Sequence, residues 1–115
     1  MLIGELARIT DTSTRALRHY DDRGLLISAR QANGYRNLPE SAVERVRRIR
    51  MLLDVGLNLD AVAELLPCFA TDGALGACPT AQRRLATQIK ALDEQIDALQ
   101  TTRRMLSTAL SRISS

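Results

Sequence analysis

Tryptophan is absent from this chain of 115 residues, phenylalanine occurs once and tyrosine twice. A domain of that length buries roughly two-thirds of the surface its unfolded chain exposes, so one core is expected and it has to be aliphatic. A hydrophobic content of 45% is ordinary for a folded protein. No apolar run approaches the roughly 18 residues of a membrane span, and Glu5 and Arg8 interrupt the only early apolar stretch, leaving no secretory signal. A cytoplasmic protein without a membrane segment is expected. Histidine occurs once, at His19, with no sequence partner for a nucleophile relay. Asp21-Asp22 and Asp93-Glu94 are adjacent pairs whose carboxylates diverge around a helix, so neither forms an acid–base couple. The P-loop and dinucleotide fingerprints are missing, and "GALGAC" is too short and follows no strand. An enzyme is not expected, and no catalytic residue is assigned. In a reducing compartment the two cysteines are expected as thiols in preference to a structural disulfide.

The bases are arginine in 15 of 16 cases, and they are unevenly placed. Residues 1–50 carry ten arginines against six acids, whereas residues 51–79 carry four acids and no base. A basic front of arginines suits a polyanion, because the guanidinium matches phosphate and guanine bidentately. Along that front, "LIGELARI" has helical apolar spacing, "TDTS" breaks it, and Ser13 can cap a second helix, "TRALRHYDD". Two short helices across a three-residue turn make a helix-turn-helix candidate. Gly24 stops the second helix, the period changes to alternation, and Asn33-Gly34 signals a hairpin. Pro39 is expected to open a third helix with the stripe Val43, Val46, Ile49, Leu52 and Leu53. Asn58 caps a fourth helix that Pro67 terminates.

After Pro79 the apolar residues Leu85, Ile89, Leu92, Ile96, Leu99, Leu106, Leu110 and Ile113 keep 4-3 spacing, with Arg103 at the one interrupted position. That is a coiled-coil seam on a helix roughly 50 Å long. Nothing else in so short a chain covers it, so a second copy is expected; the competing reading folds the helix back on its own head. The expected organisation is a helix-turn-helix head over residues 1–66, a hinge loop over 67–79 and a dimerisation helix over 80–115.

Three clusters converge on nucleic acid. The second helix offers Thr14, Arg15 and Arg18 in its first turns, where a recognition helix meets bases and phosphates. The hairpin adds Arg30, Tyr35 and Arg36, and the third helix adds Arg45, Arg47, Arg48 and Arg50. The segments "IGELARITDTSTRALRHYDDRGLL" and "NGYRNLPESAVERVRRIRMLLDVGLNLDAVAELL" closely resemble the MerR family of bacterial transcription regulators over residues 2 to 66. The resemblance implies a mostly α fold: a winged helix-turn-helix head with a small β-hairpin wing, then a long C-terminal helix forming an antiparallel coiled-coil dimer. It implies binding to a promoter palindrome, control by bending and untwisting that DNA, and RNA polymerase as a partner at the promoter.

Carried over by position, Ser13, Thr14 and Arg15 fall where the family's recognition helix begins. Arg18 and Tyr20 fall where it meets the DNA backbone, and Tyr35 and Arg36 fall at the wing. Asp11 replaces the family's usual turn glycine, and Asp takes the left-handed conformation at modest cost. His19 and Leu38 stand where aromatic residues are common. The alternative is a coiled-coil protein–protein interaction module with a degenerate head.

The chain is expected to be a short form without a separate effector domain. It lacks the cysteine loop of copper- and zinc-sensing relatives and the four-cysteine cluster of the superoxide-sensing one. It resembles the mercury sensor in carrying a cysteine, Cys78, at the start of the dimer helix. "PCFATDGALGACP" is therefore the candidate sensor. Cys78 would sit at a helix N-terminus, where the dipole favours a thiolate, and Cys68 neighbours Leu65, Leu66 and Phe69 and suits a buried hydrophobe equally well. Two thiols are an incomplete Zn²⁺ shell unless a dimer pairs two sets. Structural cysteines, thiol or oxidant sensing, metal binding and an apolar ligand at the hinge all remain open, and the sequence requires no cofactor.

Overall fold

The computed structural model describes residues 1–27, 29–30, 36–70, 74–76 and 78–114, with residues 29, 30 and 36 described by their backbone alone. Helix α1, Ile3–Thr10, turns into helix α2, Thr14–Asp22, through Asp11, whose φ of 51° and ψ of 44° are left-handed as its short polar side chain permits. That conformation aims the Asp11 and Thr12 N–H groups back at the Ala7 carbonyl, satisfying an acceptor left open at the helix end. Ser13 is extended, and its hydroxyl oxygen accepts from the Ala16 N–H at 3.1 Å, which fixes the start of α2. Gly24, at φ 74°, closes α2 and lets Leu25 N–H reach the Tyr20 carbonyl at 2.9 Å.

Two short antiparallel strands follow, β1 at Ala29–Arg30 and β2 at Arg36–Asn37, with Ala29 opposite Asn37 and Arg30 opposite Arg36. The expected hairpin tip at Asn33-Gly34 and the candidate contact Tyr35 lie outside the described residues. Asn37 also bridges to Leu2, and Leu38 N–H donates to the Met1 carbonyl at 2.8 Å, so the start of the chain is laid against β2.

Helix α3 spans Ala42–Asp54. Pro39 does not open it: residues 39–41 form a preceding turn, with Ala42 N–H on the Pro39 carbonyl, because tertiary packing pulls Leu38 into the core ahead of the helix. Ala42, Val46, Ile49 and Leu52 are buried along one face. Gly56, at φ 93°, ends that segment, and Asn58 caps helix α4, Leu59–Leu65, by accepting from Ala61 N–H at 2.9 Å. Pro67 does not simply stop the chain; it sits within a 3₁₀ turn, Leu66–Cys68, that continues α4.

Leu6, Leu17, Leu38, Val46, Ile49, Leu52, Val62 and Leu65 are the fully buried centre, an aliphatic core drawn from α1 to α4 and the β2 edge. Each such side chain contributes roughly 1.5–3 kcal/mol of transfer free energy. Helix α5 is a single element of 36 residues, Pro79–Ser114, and only its first turns reach that core. Ala81 is buried in it and Leu85 is half-buried against it. Leu85, counted in the dimer seam from its spacing, thus packs on its own head. From Ile89 onward every residue of α5 among the described ones is exposed, and the molecule extends 73 Å along its longest axis. The fold-back reading does not hold, because a straight helix of that length leaves the head after about three turns.

Candidate nucleic-acid interface

Helix α2 presents two faces. Leu17 and Tyr20 point inward and are buried, while Arg15, Arg18 and His19 stand in solvent and Thr14 is half-buried. With no acid in its first turn, the positive end of α2 and the Arg15–Arg18 face form one electropositive edge. Ser13 is exposed, but its oxygen already serves as the cap acceptor, so toward a ligand it keeps its hydroxyl proton. Tyr20 differs from expectation. Its ring is 6% exposed and belongs to the core, and burial raises the pKa of its hydroxyl, with Arg50 opposing that shift and Asp54 adding to it. Tyr20 is a support for α2, because the i,i+3 spacing from Leu17 turns it to the core side. Leu38, at a position commonly aromatic in the resembled family, is likewise core.

The arginines of α3 do work that spacing alone did not reveal. Arg50 Nη1 donates to the Asp11 carbonyl at 2.7 Å and to Thr12 Oγ1 at 3.0 Å, clamping the turn between α1 and α2. Arg45 Nε donates to the Leu25 carbonyl beyond α2. Arg48 lies over the Phe69 ring, 4.9 Å from its centroid, in a cation–π contact. Arg47 faces Glu44 at 3.9 Å on the surface, a weak pair. Helix α3 is therefore a spine that fixes α2 from behind through Arg45 and Arg50. Such roles need partners 20 and 39 residues away, which no local pattern supplies.

The backbones of Arg30 and Arg36 pair in β1 and β2. At the base of α5, Arg84 donates to both carboxylate oxygens of Glu64, at 3.0 and 2.8 Å, and Gln88 donates to the Val55 carbonyl at 2.9 Å. The Arg84 hydrogen bonds hold Glu64 below the usual carboxylate range and raise the Arg84 pKa. Arg23 pairs with Asp60 at 2.7 Å, joining the end of α2 to α4.

The hinge loop departs from the expectation of two separate thiols. Cys68 and Cys78 are paired in a disulfide, with Cα atoms 6.0 Å apart across ten positions of sequence. Described residues from the two ends of this segment meet, so sequence distance misleads here: Phe69 bridges to Leu75 and Gly76 N–H donates to the Cys68 carbonyl. Among the described residues no group of three or more His, Cys, Asp or Glu is arranged to hold a metal, and no helix is long and apolar enough to cross a membrane.

The chain matches the profile of "MerR HTH family regulatory protein" over residues 1–67 and that of "MerR, DNA binding" over residues 43–109. It is 37% identical over 101 residues to a probable heavy metal-dependent transcriptional regulator of Haemophilus influenzae, covering 87% of this chain and 77% of that one. The transcription regulator PbrR691 of Ralstonia metallidurans CH34, solved in complex with lead(II), is 26% identical with a TM-score of 0.75, over 92% of this chain and 81% of that one. The MerR family regulator HiNmlR, lacking the sensor domain and solved on promoter DNA, shares the fold with a TM-score of 0.56 at 24% identity, over 87% and 75% of the two chains. A capped helix-turn-helix with an outward arginine edge, carried on a chain that matches both profiles, leaves one conclusion: this chain belongs to the MerR family of DNA-binding transcription regulators.

Proposed function

We propose that this regulator acts as a homodimer, two heads joined by the antiparallel pairing of α5, on a two-fold-symmetric promoter site. The observation that carries the reading is the seam of α5, Ile89 to Ile113, left open on the same chain whose α2 turns Arg15 and Arg18 outward. A symmetric dimer covers that seam with itself and sets two recognition helices at a fixed spacing. In this reading residues 1–66 are the reading head, residues 67–79 the hinge and residues 80–115 the dimer helix. Thr14, Arg15 and Arg18 meet base edges and phosphates, Ser13 caps the helix beneath them, and Arg30, Tyr35 and Arg36 belong to a wing that holds the flanking backbone.

Control follows from the spacing of the heads. Bending a promoter-length site costs on the order of 1–6 kcal/mol, which several arginine–phosphate contacts from two heads can offset. Untwisting the promoter then alters how RNA polymerase engages it, and a signal arriving at the hinge, where Cys68 and Cys78 lie, changes head spacing. Heavy metal appears in one relative's name and lead(II) in one neighbour's, yet the described residues here supply two paired sulfurs and no cluster of three ligands.

The test is binding of the purified protein to a duplex selected from a random pool. Binding is expected to be steeply salt-dependent and to require a palindrome. Arg18→Ala is expected to weaken it about ten-fold and to lower the salt slope by about one. An unchanged slope sinks the Arg18 assignment, and a monomer without DNA affinity sinks the reading.

A further inference from the structure

We propose that Cys68 and Cys78 form a reversible redox site, a dithiol that a hydroperoxide closes to the intramolecular disulfide, and that Phe69 on Arg48 carries the closure into α3. The transcriptional consequence rests on the DNA-binding reading above; the chemistry of the site does not.

Backbone contacts beside the cysteine pair add to the bond between them. Gly76 N–H donates to the Cys68 carbonyl at 2.9 Å, Ala70 N–H donates to the Ala74 carbonyl at 2.8 Å, and Phe69 bridges to Leu75. A side chain at position 76 would press within 3.3 Å of the Cys68 carbonyl, so the approach is tightest with glycine. The resulting Cα separation of 6.0 Å lies inside the roughly 4.4–6.8 Å that a disulfide spans. A dithiol held this way is ready to close. The Glu64 carbonyl lies 3.9 Å from Cys68 Sγ, close enough to accept from it once the cysteine is a thiol. Both cysteines are half-buried, within reach of a small oxidant.

The balance is simple. One cysteine, as thiolate, attacks a peroxide oxygen; the O–O bond breaks, an S–O bond forms, and an alcohol or water leaves with the proton. The second thiol attacks that sulfenic sulfur, the S–S bond forms, the S–O bond breaks and water leaves. Two thiols lose two electrons and two protons, and the hydroperoxide gains them. A small thiol or dithiol reverses the change by exchange.

Phe69 adjoins Cys68, and its ring carries Arg48. Arg48 Nε is buried without a hydrogen-bond partner, so this guanidinium rests on the ring and on a 3.9 Å approach to Glu44. A shift of the ring therefore moves a group that few directional bonds restrain. Arg48 lies on α3 between Arg45, which holds Leu25 just beyond α2, and Arg50, which holds the turn into α2.

The experiment takes the full chain, reduced, through hydrogen peroxide and then dithiothreitol. Expected are a fall from two reactive thiols to none, an intact mass lower by two hydrogens with no inter-subunit cross-link, and full recovery on reduction. The two forms are expected to differ several-fold in transcription from a template carrying the selected duplex, and in hydrogen exchange of α3 amides. Cys68→Ser and Cys78→Ser lose both responses. Arg48→Met still closes the disulfide but loses most of the difference in exchange and transcription, which a merely structural cross-link would not do. Thiols that survive peroxide, stop at sulfinic acid or cross-link two subunits overturn the proposal, as does closure without any change in α3 exchange. If neither form binds DNA, the DNA-binding reading has failed, and the thiol count and α3 exchange still decide this one.

Discussion

The head and α5 solve the same problem in opposite ways. In the head, Leu6, Leu17, Val46, Ile49, Val62 and Leu65 come from four short helices and are all but sealed from water. On α5, Leu99 is 69% and Ile113 82% exposed, although their spacing is the most regular in the chain. Local regularity and burial are thus separate properties. Short helices are marginal alone and persist through what they pack against. A long helix can keep its form while its apolar stripe awaits a partner, and a bare seam of that length is a large patch for a monomer to expose.

The largest effect expected on this contrast comes from charging the seam. Ile96→Asp should weaken self-association by about two orders of magnitude or more, roughly 3 kcal/mol, read by sedimentation, while thermal unfolding of the head is little changed. If Ile96→Asp associates as the parent does, the seam is not the dimer contact. In the head, Leu17→Ala should cost about 2–5 kcal/mol in denaturant unfolding and leave dimer affinity per folded chain unaltered.

Where the two regions meet, Gly56→Ala should cost about 1–2 kcal/mol. Gly56 is at φ 93°, and an added Cβ would lie 2.5 Å from Gln88 Nε2 on α5. Adding Gln88→Ala should recover the steric part and not the backbone part, which a double-mutant cycle separates. The smallest effect concerns Glu64. Arg84 holds its carboxyl below the ordinary value of 4.5, so the pair contributes stability above that pH and loses it as pH falls through the lowered value. Both groups lie at the surface, so the parent should lose stability only slightly more steeply in acid than Glu64→Gln, by chemical denaturation at several pH values.

Much of this was legible locally. Ser13 and Asn58 accept the N–H groups expected of caps, Asp11 takes the left-handed turn, and Gly24 and Gly56 end helices at positive φ. Each needs only a few neighbouring residues, so spacing and side-chain chemistry suffice. Other features were not legible. The apolar period of α5 is blind to which residues meet the head, so by spacing Leu85 falls in the seam although it packs against the head core that contains Ala81. A basic run on α3 looks like phosphate binding until its partners are known.

By itself the sequence determined the helical inventory, the caps and turns, the 4-3 seam and the resemblance to a regulator family, because these follow from short-range periodicity and backbone preference. Only the tertiary structure decided that Tyr20 is core, that Arg45 and Arg50 brace the recognition helix, that Arg48 rests on Phe69, and that Cys68 meets Cys78. Those outcomes join residues distant along the chain. They depend on how separate elements close on one another, and local sequence carries no distance between elements.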